Sequence, residues 1–409
     1  MNNLADRIAQ LCCEKYNSFG KTGKPQDTEW TVLAGIVLKD AQETLSVVSL
    51  ATGTKCLSGT ELLDTKQWEI GSRLSDSHAE ILARRAFLRY LYHQLNLRLN
   101  NSNSDVFELD ANKTICLRNN ISLHYYCSQT PCGDCSIFPK IVENRVFGIN
   151  ASARKRKSHA NDNMEIKRLN LQEDYQCDEY DVHRTGAKCV QTGEQDSRLP
   201  GVDYHLVGPI RTKPGRGDRT LSLSCSDKIA KWNILGIQGA LLSRLIPPVR
   251  IDSFCIGGQS PFSPEAMQRG ICERFATGRC PVFMQSEQSF VHRKGANRTR
   301  PCPSSVIWCA VPDRQLEISV DGRKQGATKK KKRGNYLLIS KQELFRTFLR
   351  TVDRFNRMTT SEQNHPKKIT YYHAKQSSTA YQQSWSGLKL QSFRTWPAKP
   401  LYLQDFVLM

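Results

Sequence analysis

The chain has 409 residues, 39% of them hydrophobic, enough for a sizeable core; no apolar run approaches the roughly 18 residues that span a bilayer, and Met1-Asn2-Asn3-Leu4-Ala5-Asp6 lacks the basic start and apolar centre of a secretion signal, so an intracellular protein is expected. Lys and Arg outnumber Asp and Glu by 59 to 39, and the net charge of +20 calls for a polyanionic partner, nucleic acid before a membrane surface, because the basic residues are spread through folded-looking segments. Fifteen cysteines without regular spacing suit a reducing compartment, with free thiols and a few metal ligands rather than a disulfide frame.

Leu4, Ile8, Leu11 and Cys12 recur at helical spacing and predict a short amphipathic helix over residues 3–16. Residues 30–38 and 45–53 read as the two strands of a hairpin. Ile81, Leu82, Ala86, Leu88, Leu91 and Leu95 define a strong helix from 79 to about 95. Residues 121–128 read as a strand running into Pro131 and Cys132, with another helix starting at Gly133 to Ser136. Residues 149–176 are polar, charged and aperiodic, as expected of a solvated, disordered insertion; its R-K-R-K run at 154–157 reads as a flexible loop, with an import signal as the alternative. After a turn-rich stretch at 213–220, Ser224-Cys225-Ser226-Asp227-Lys228 opens a helix expected to reach about residue 245. A strand at 251–257, a helix from 264 and strands at 305–311 and 316–320 follow. Cys272, Cys280, His292, Cys302 and Cys309 have spacings that fit no standard zinc finger. The basic run at 329–333 is a loop tip, either simply solvated or touching RNA phosphates, and from residue 340 the chain reads as helices broken at Pro366.

Asp76-Ser77-His78-Ala79-Glu80 leads into the helix at 79, and Pro131-Cys132-Gly133-Asp134-Cys135 follows the strand at 121–128. A His that offers one ring nitrogen to a metal, with a carboxylate two residues on near a helix N-terminus, suits a hydrolytic zinc site in which Glu80 shuttles a proton. H-x-E followed by P-C-x-x-C is the signature of zinc nucleobase deaminases. His78 and Cys132 are therefore candidate ligands, and the third position falls to Cys135 or to Cys225, which sits at a loop-to-helix junction as Cys132 does. Strands alternating with helices imply an α/β fold, a three-layer α/β/α domain of the cytidine-deaminase type. Its zinc core spans about 28–148 and 178–260, and a mostly helical C-terminal part at about 338–409 is expected to join it in one unit.

Several longer motifs, D-S-H-A-E-I-x-A-R-R, T-P-C-G-D, K-P-G-R-G-D-R-T and S-C-S-D-K-x-A-K-W-N-x-L-G-x-Q-G-A-L-L, resemble the RNA-specific adenosine deaminase family and stand in its order over nearly the whole chain, with no further RNA-binding module expected at either end. The resemblance implies that His78, Cys132 and Cys225 hold zinc, that Glu80 is the catalytic proton shuttle, and that Cys135 is incidental. It also implies a buried inositol hexakisphosphate, held by Arg84, Arg85, Lys228, Lys231, Trp232, Gln238, Lys341, Tyr371, Lys375, Tyr381, Trp396 and Lys399. Ser75, Ala240, Lys231 and Trp385 depart from residues common in the family. Without a ligand, the aromatic and cationic residues between 371 and 399 would simply pack with buried stems and wet heads.

In duplex-editing relatives a loop Glu fills the stack vacated by a flipped base; the matching residue here is Ala187, which cannot, and this favours a target already unstacked in a structured RNA. The resemblance accordingly points to the members acting on transfer RNA, and to the adenosine at position 37, beside the anticodon of eukaryotic alanine tRNA. A duplex or messenger RNA deaminase and a catalytically inactive RNA-binding accessory protein are the alternatives. Lys188, Lys213, Arg216 and Arg219 are candidate phosphate contacts, with Thr54 and Lys55 near the pocket; as alternatives they are loop cations or further polyphosphate contacts.

Overall fold

Leu33–Lys39 (β1) carries apolar residues at every position but its last, the pattern of a strand covered on both sides. Leu33 and Val37 face one cluster and Ala34, Ile36 and Leu38 the other, so a single strand contributes to two cores. The computed structural model describes residues 3–111, 114–140, 181–191, 196, 205–214, 219–275, 279–327, 336–359 and 369–408. The expected insertion at 149–176, the basic runs at 154–157 and 329–333, Arg216 and Pro366 lie outside the described residues.

β1 is a central strand of an eight-stranded mixed sheet with Leu45–Thr52 (β2), Ser122–Cys127 (β3), Ser253–Ile256 (β4), Val282–Gln285 (β5), Ser304–Cys309 (β6), Leu316–Val320 (β7) and Arg323–Lys324 (β8), in the order β5-β4-β3-β1-β2-β6-β7-β8. β3, β4 and β5 run parallel and all other neighbours antiparallel. The helix Leu4–Asn17 (α1), capped by the Asn3 side chain, lays Ala5, Ile8, Ala9, Cys12 and Tyr16 on one face beside Leu33, Leu50 and Tyr126. The helix Ala79–Leu99 (α2) covers the other face, with Leu82, Ala86, Phe87 and Leu91 packed among Ile36, Tyr125 and Ile307. These are the three layers expected of the α/β fold. The helix Lys341–Thr359 (α5) adds Leu344, Phe345 and Phe348 to the core around α2, and Ala374 of the helix Tyr371–Gln376 (α6) joins them. Among the described residues no helix is long and apolar enough to cross a membrane.

Three local expectations are corrected. Gly133 to Ser136 starts no α-helix: a single 3₁₀ turn, Asp134–Ser136, is followed by the short strand Phe138–Pro139, because Pro139 favours an extended residue before it. The helix Cys225–Leu235 (α3) stops at Gly236, whose φ of +87° ends it well before 245; a separate short helix, Gly239–Leu242, follows. Cys272, at the C-cap of the helix Pro264–Ile271 (α4), is joined by a disulfide to Cys280, their Cα atoms 5.7 Å apart, so not every thiol is free; the other described cysteines are.

Candidate metal centre and active site

The short strand Asp76–His78 pairs antiparallel with Thr54–Cys56, Thr54 opposite His78 and Lys55 opposite Ser77. Gly53 makes this crossing possible: its φ is +153°, and a Cβ there would lie 2.0 Å from the Ser77 carbonyl oxygen. His78 is the N-cap residue of α2 but forms no side-chain cap bond, which leaves its ring for other work, and Glu80 follows in the first turn, 4% exposed. Cys225 is the first residue of α3, after the N-cap Ser224, whose side chain accepts from the Asp227 amide. The Cys132 loop reaches this point because Gly133 has φ +107°; a Cβ on it would come within 2.3 Å of Ser224 Oγ.

The result is one cluster. The ligand atoms of His78, Cys132 and Cys225 all lie within 4.8 Å of one another, with Cys225 Sγ 3.6 Å from His78 Nδ1 and the Cys225 amide donating to Cys132 Sγ at 3.4 Å. Cys135 is outside it: fully buried, its thiol pushed up to about 12 by burial, it packs so closely that a Cβ on Gly270 would meet its sulfur at 2.6 Å. The hydrogen bond from Cys225 holds the Cys132 thiol well below the usual range against its burial, while burial and the neighbouring thiolate hold Cys225 well above. Binding of a cation would require both thiols as thiolates and so would release protons. The N-terminal ends of α2 and α3 bring their positive dipoles to the same place. One imidazole, two thiols and an adjacent carboxylate are compatible with a metal ion that has one open position.

Residues 49–400 match the adenosine-deaminase (editase) domain family. The chain belongs to that family. Among curated relatives, tRNA-specific adenosine deaminase 1 of Homo sapiens is 34% identical, covering 97% of this chain and 98% of its own length. That of Drosophila melanogaster is 36% identical, covering 98% and 96%. The double-stranded RNA-specific editase Adar of Drosophila melanogaster is 30% identical over 98% of this chain, but over 55% of its own length. The chain is thus an RNA adenosine deaminase, converting adenosine to inosine.

Each metal-ligand candidate of this deaminase has an aspartate two residues away that is buried and ion-paired, a pattern that the motifs contained but that the sequence reading passed over. Asp76 accepts from the Lys213 ammonium at 2.8 and 2.9 Å, pairs also with Lys228, and takes the His78 amide at 3.1 Å. Burial alone would raise its pKa; Lys213, Lys228 and His78 together hold it well below the usual carboxylate range. Asp134 is bound by Arg269 at 2.9 Å, and Asp227 by Arg274 at 2.9 Å and by the Arg211 amide at 3.0 Å. Ser226 completes the brace, its amide and hydroxyl donating to the Cys132 carbonyl at 3.0 and 2.9 Å.

A second cluster is cationic. Arg84 and Arg85 of α2, Lys228 and Lys231 of α3, Lys341 of α5, Lys375 of α6 and Lys399 influence one another's charge across five segments. Burial, then Lys375 and Arg84, pull Lys231 well below the lysine range; burial, then Lys399 and Lys375, do so for Lys341, and burial with Lys228 draws Lys399 down to about 8. Aromatic faces take part of the load: Lys231 Nζ lies 3.3 Å from the Trp385 ring centre and 5.0 Å from that of Trp396, and Arg84 stands 5.2 Å over Trp232. Tyr381 also faces Lys231, and Tyr371 faces Lys341 and Lys375. Arg85 Nη2 is buried with no hydrogen-bond partner. All seven cations keep partial exposure to solvent, and their convergence is compatible with a dense anion. Gln238 differs: its amide braces the turn, donating to the Leu235 carbonyl and accepting from the Val249 amide. Ser75, one of the departures, takes the Lys399 ammonium at 3.2 Å.

The RNA-contact candidates divide. Thr54 and Lys55 flank His78, and Thr54 Oγ1 is buried without a partner. Lys188 lies in the strand Lys188–Cys189, opposite Thr212. Lys213 is corrected: fully buried on Asp76, its ammonium is not offered to a phosphate. Ala187 stands in the loop between the strands Val182–His183 and Lys188–Cys189, 1% exposed, its amide donating to Thr185 Oγ1. Arg219 is described only as the first residue of the strand Arg219–Leu223.

Proposed function

We propose that this deaminase acts hydrolytically and zinc-dependently on transfer RNA, at the adenosine in position 37 of alanine tRNA. The observation that carries the chemistry is the meeting of His78, Cys132 and Cys225 within 4.8 Å beside the buried, first-turn Glu80. Two thiolates and an imidazole suit zinc among the common ions. Bound there, zinc lowers the pKa of a water molecule toward neutrality. Glu80 would accept one proton of the water as its oxygen adds to C6 of the purine and pass it to ring N1, then carry the remaining hydroxyl proton to the amino group, which leaves as ammonia. The Asp76, Asp134 and Asp227 ion pairs hold the three ligand-bearing segments at fixed separation, so that Glu80 need not reorganise.

The transfer-RNA reading is supported by relatives named tRNA-specific that match end to end, whereas the duplex editase named above matches over about half its length. Position 37 of alanine tRNA rests on the resemblance to the members that act there. Inositol hexakisphosphate would be held by Arg84, Arg85, Lys228, Lys231, Lys341, Lys375 and Lys399, with Trp232, Tyr371, Tyr381 and Trp396 about them; its role is to neutralise cations that otherwise repel one another inside the fold.

The test is incubation of the full chain with alanine tRNA, with and without a zinc chelator, followed by nucleoside analysis. Inosine at position 37, lost with the chelator and lost in Glu80→Ala while metal remains bound, is the expected result. Inosine formed in a long duplex but in no transfer RNA would move the assignment to a duplex editor, and Glu80→Ala with full turnover would end the proton-shuttle role.

A further inference from the structure

The segment that carries Cys132 has a second face. Ser128, Gln129 and Thr130 on its way in, and Ser136 on its way out, line a cavity of about 430 Å³ whose far wall is formed by Gln259 to Pro261 and by Arg293 and Lys294. Among the described residues no acidic side chain lines it. The size is within the range of small-ligand sites, and the loop wall is firm: the Thr130 amide donates to Ser260 Oγ at 3.1 Å, its hydroxyl to the Pro261 carbonyl, and Ser136 Oγ to the Pro131 carbonyl at 2.7 Å.

Arg293 and Lys294 are exposed and, among the described residues, meet no carboxylate, yet the backbone beneath them is pinned. The Thr31 amide donates to the His292 carbonyl at 2.9 Å, Gly295 and Arg298 bond each other, and Arg298 Nη1 ties the loop to the carbonyls of Gln26 and Glu29 at 2.9 and 2.8 Å. Phe138 and His183 share the lining, their ring centres 4.8 Å apart. Burial, with Lys140 nearby, pulls His183 below the usual imidazole range, so near pH 7 it offers a neutral aromatic face. Two exposed cations that meet no carboxylate among the described residues, Lys294 standing 5.9 Å over the Trp30 ring, and a flat ring in the same lining are the elements of a single-stranded nucleotide site, cations for the phosphate and ring for the base.

We propose that this cleft is a subsite for a nucleotide flanking the target adenosine, with its base against His183 and its phosphate against Arg293 and Lys294. The inference rests on the RNA substrate proposed above: Thr130, two residues before Cys132, and Ser136, four residues after it, both line the cleft, so one short loop separates it from the candidate metal ligand.

The test is binding of the full chain to a fluorescent alanine tRNA anticodon stem-loop, followed by anisotropy over a salt series. Arg293→Glu with Lys294→Glu should weaken binding about tenfold and lower the salt slope by about 1.4, the loss of two single-strand phosphate contacts. Reversal of two exposed cations that do not line the cleft, Lys21→Glu with Arg350→Glu, controls for net charge and should cost much less. His183→Ala should weaken binding about tenfold and His183→Phe should restore it, a rescue that a purely structural role for the imidazole nitrogens would not give. Equal losses for cleft and control reversals, or an unchanged salt slope, would overturn the proposal. Inosine formation on the same RNA is read separately: its absence in the wild type, with the cleft-specific binding loss intact, would count against the substrate and not against the subsite.

Discussion

Asp76→Asn removes the anion shared by Lys213 and Lys228 while preserving the shape of the side chain. Lys213 is fully buried, so its ammonium would be left without a counter-charge, whereas Lys228 keeps 17% exposure and can be screened by water. Breaking a buried pair in this way costs about 3–5 kcal/mol. With an unfolding entropy of about 2.1 cal/mol/K per residue, a chain of 409 residues has about 0.9 kcal/mol/K, so the melting temperature should fall by about 3–6 °C. Scanning fluorimetry or calorimetry at pH 7 measures this directly. Adding Lys213→Met removes the stranded charge and should recover part of the loss. The pH dependence has a defined sign: a carboxylate with a depressed folded pKa contributes stability above its unfolded pKa, about 4, that is lost as the pH falls through the folded value. The wild type should therefore lose stability below about pH 4 more steeply than Asp76→Asn. An Asp76→Asn protein that melts with the wild type, or a Lys213→Met addition that lowers the melting temperature further, would refute the account of Asp76 as the counter-ion.

The two cysteines separate cleanly in a metal assay. Cys225→Ser should abolish stoichiometric zinc, measured by plasma mass spectrometry on purified protein, while Cys135→Ser should keep it; the reverse pattern would reassign the third ligand. For the cationic cluster, native mass spectrometry of protein purified without added ligand should show the extra mass of inositol hexakisphosphate. Protein stripped of it and then titrated at pH 8.5 should take up protons, because Lys399, drawn down to about 8 by burial and by Lys228, is largely neutral there until an anion raises its pKa. Calorimetry in buffers of different ionisation enthalpy reads that uptake, and its absence would show that no lysine titrates with binding.

Much of the centre was legible because its signals are local. Helical spacing marks α1 and α2, near-continuous apolar runs mark β1 and β2, and His78, Glu80 and Cys132 stand in a spacing that few other chemistries require. The aspartates beside the three ligands were equally visible as letters, but nothing in a linear string distinguishes a solvated carboxylate from one buried on a lysine.

What the amino-acid order determined by itself was therefore the set of elements, the histidine, the carboxylate and the first cysteine, together with the family resemblance that preferred Cys225. Tertiary structure decided that Cys225, and not the nearer Cys135, meets His78 and Cys132; that Lys213 serves Asp76 and not a phosphate; and that arginines and lysines from five segments face one another. Periodicity depends on neighbours along the chain, whereas ligand distance, desolvation and counter-charge depend on residues 93 to 147 positions apart that only packing brings together.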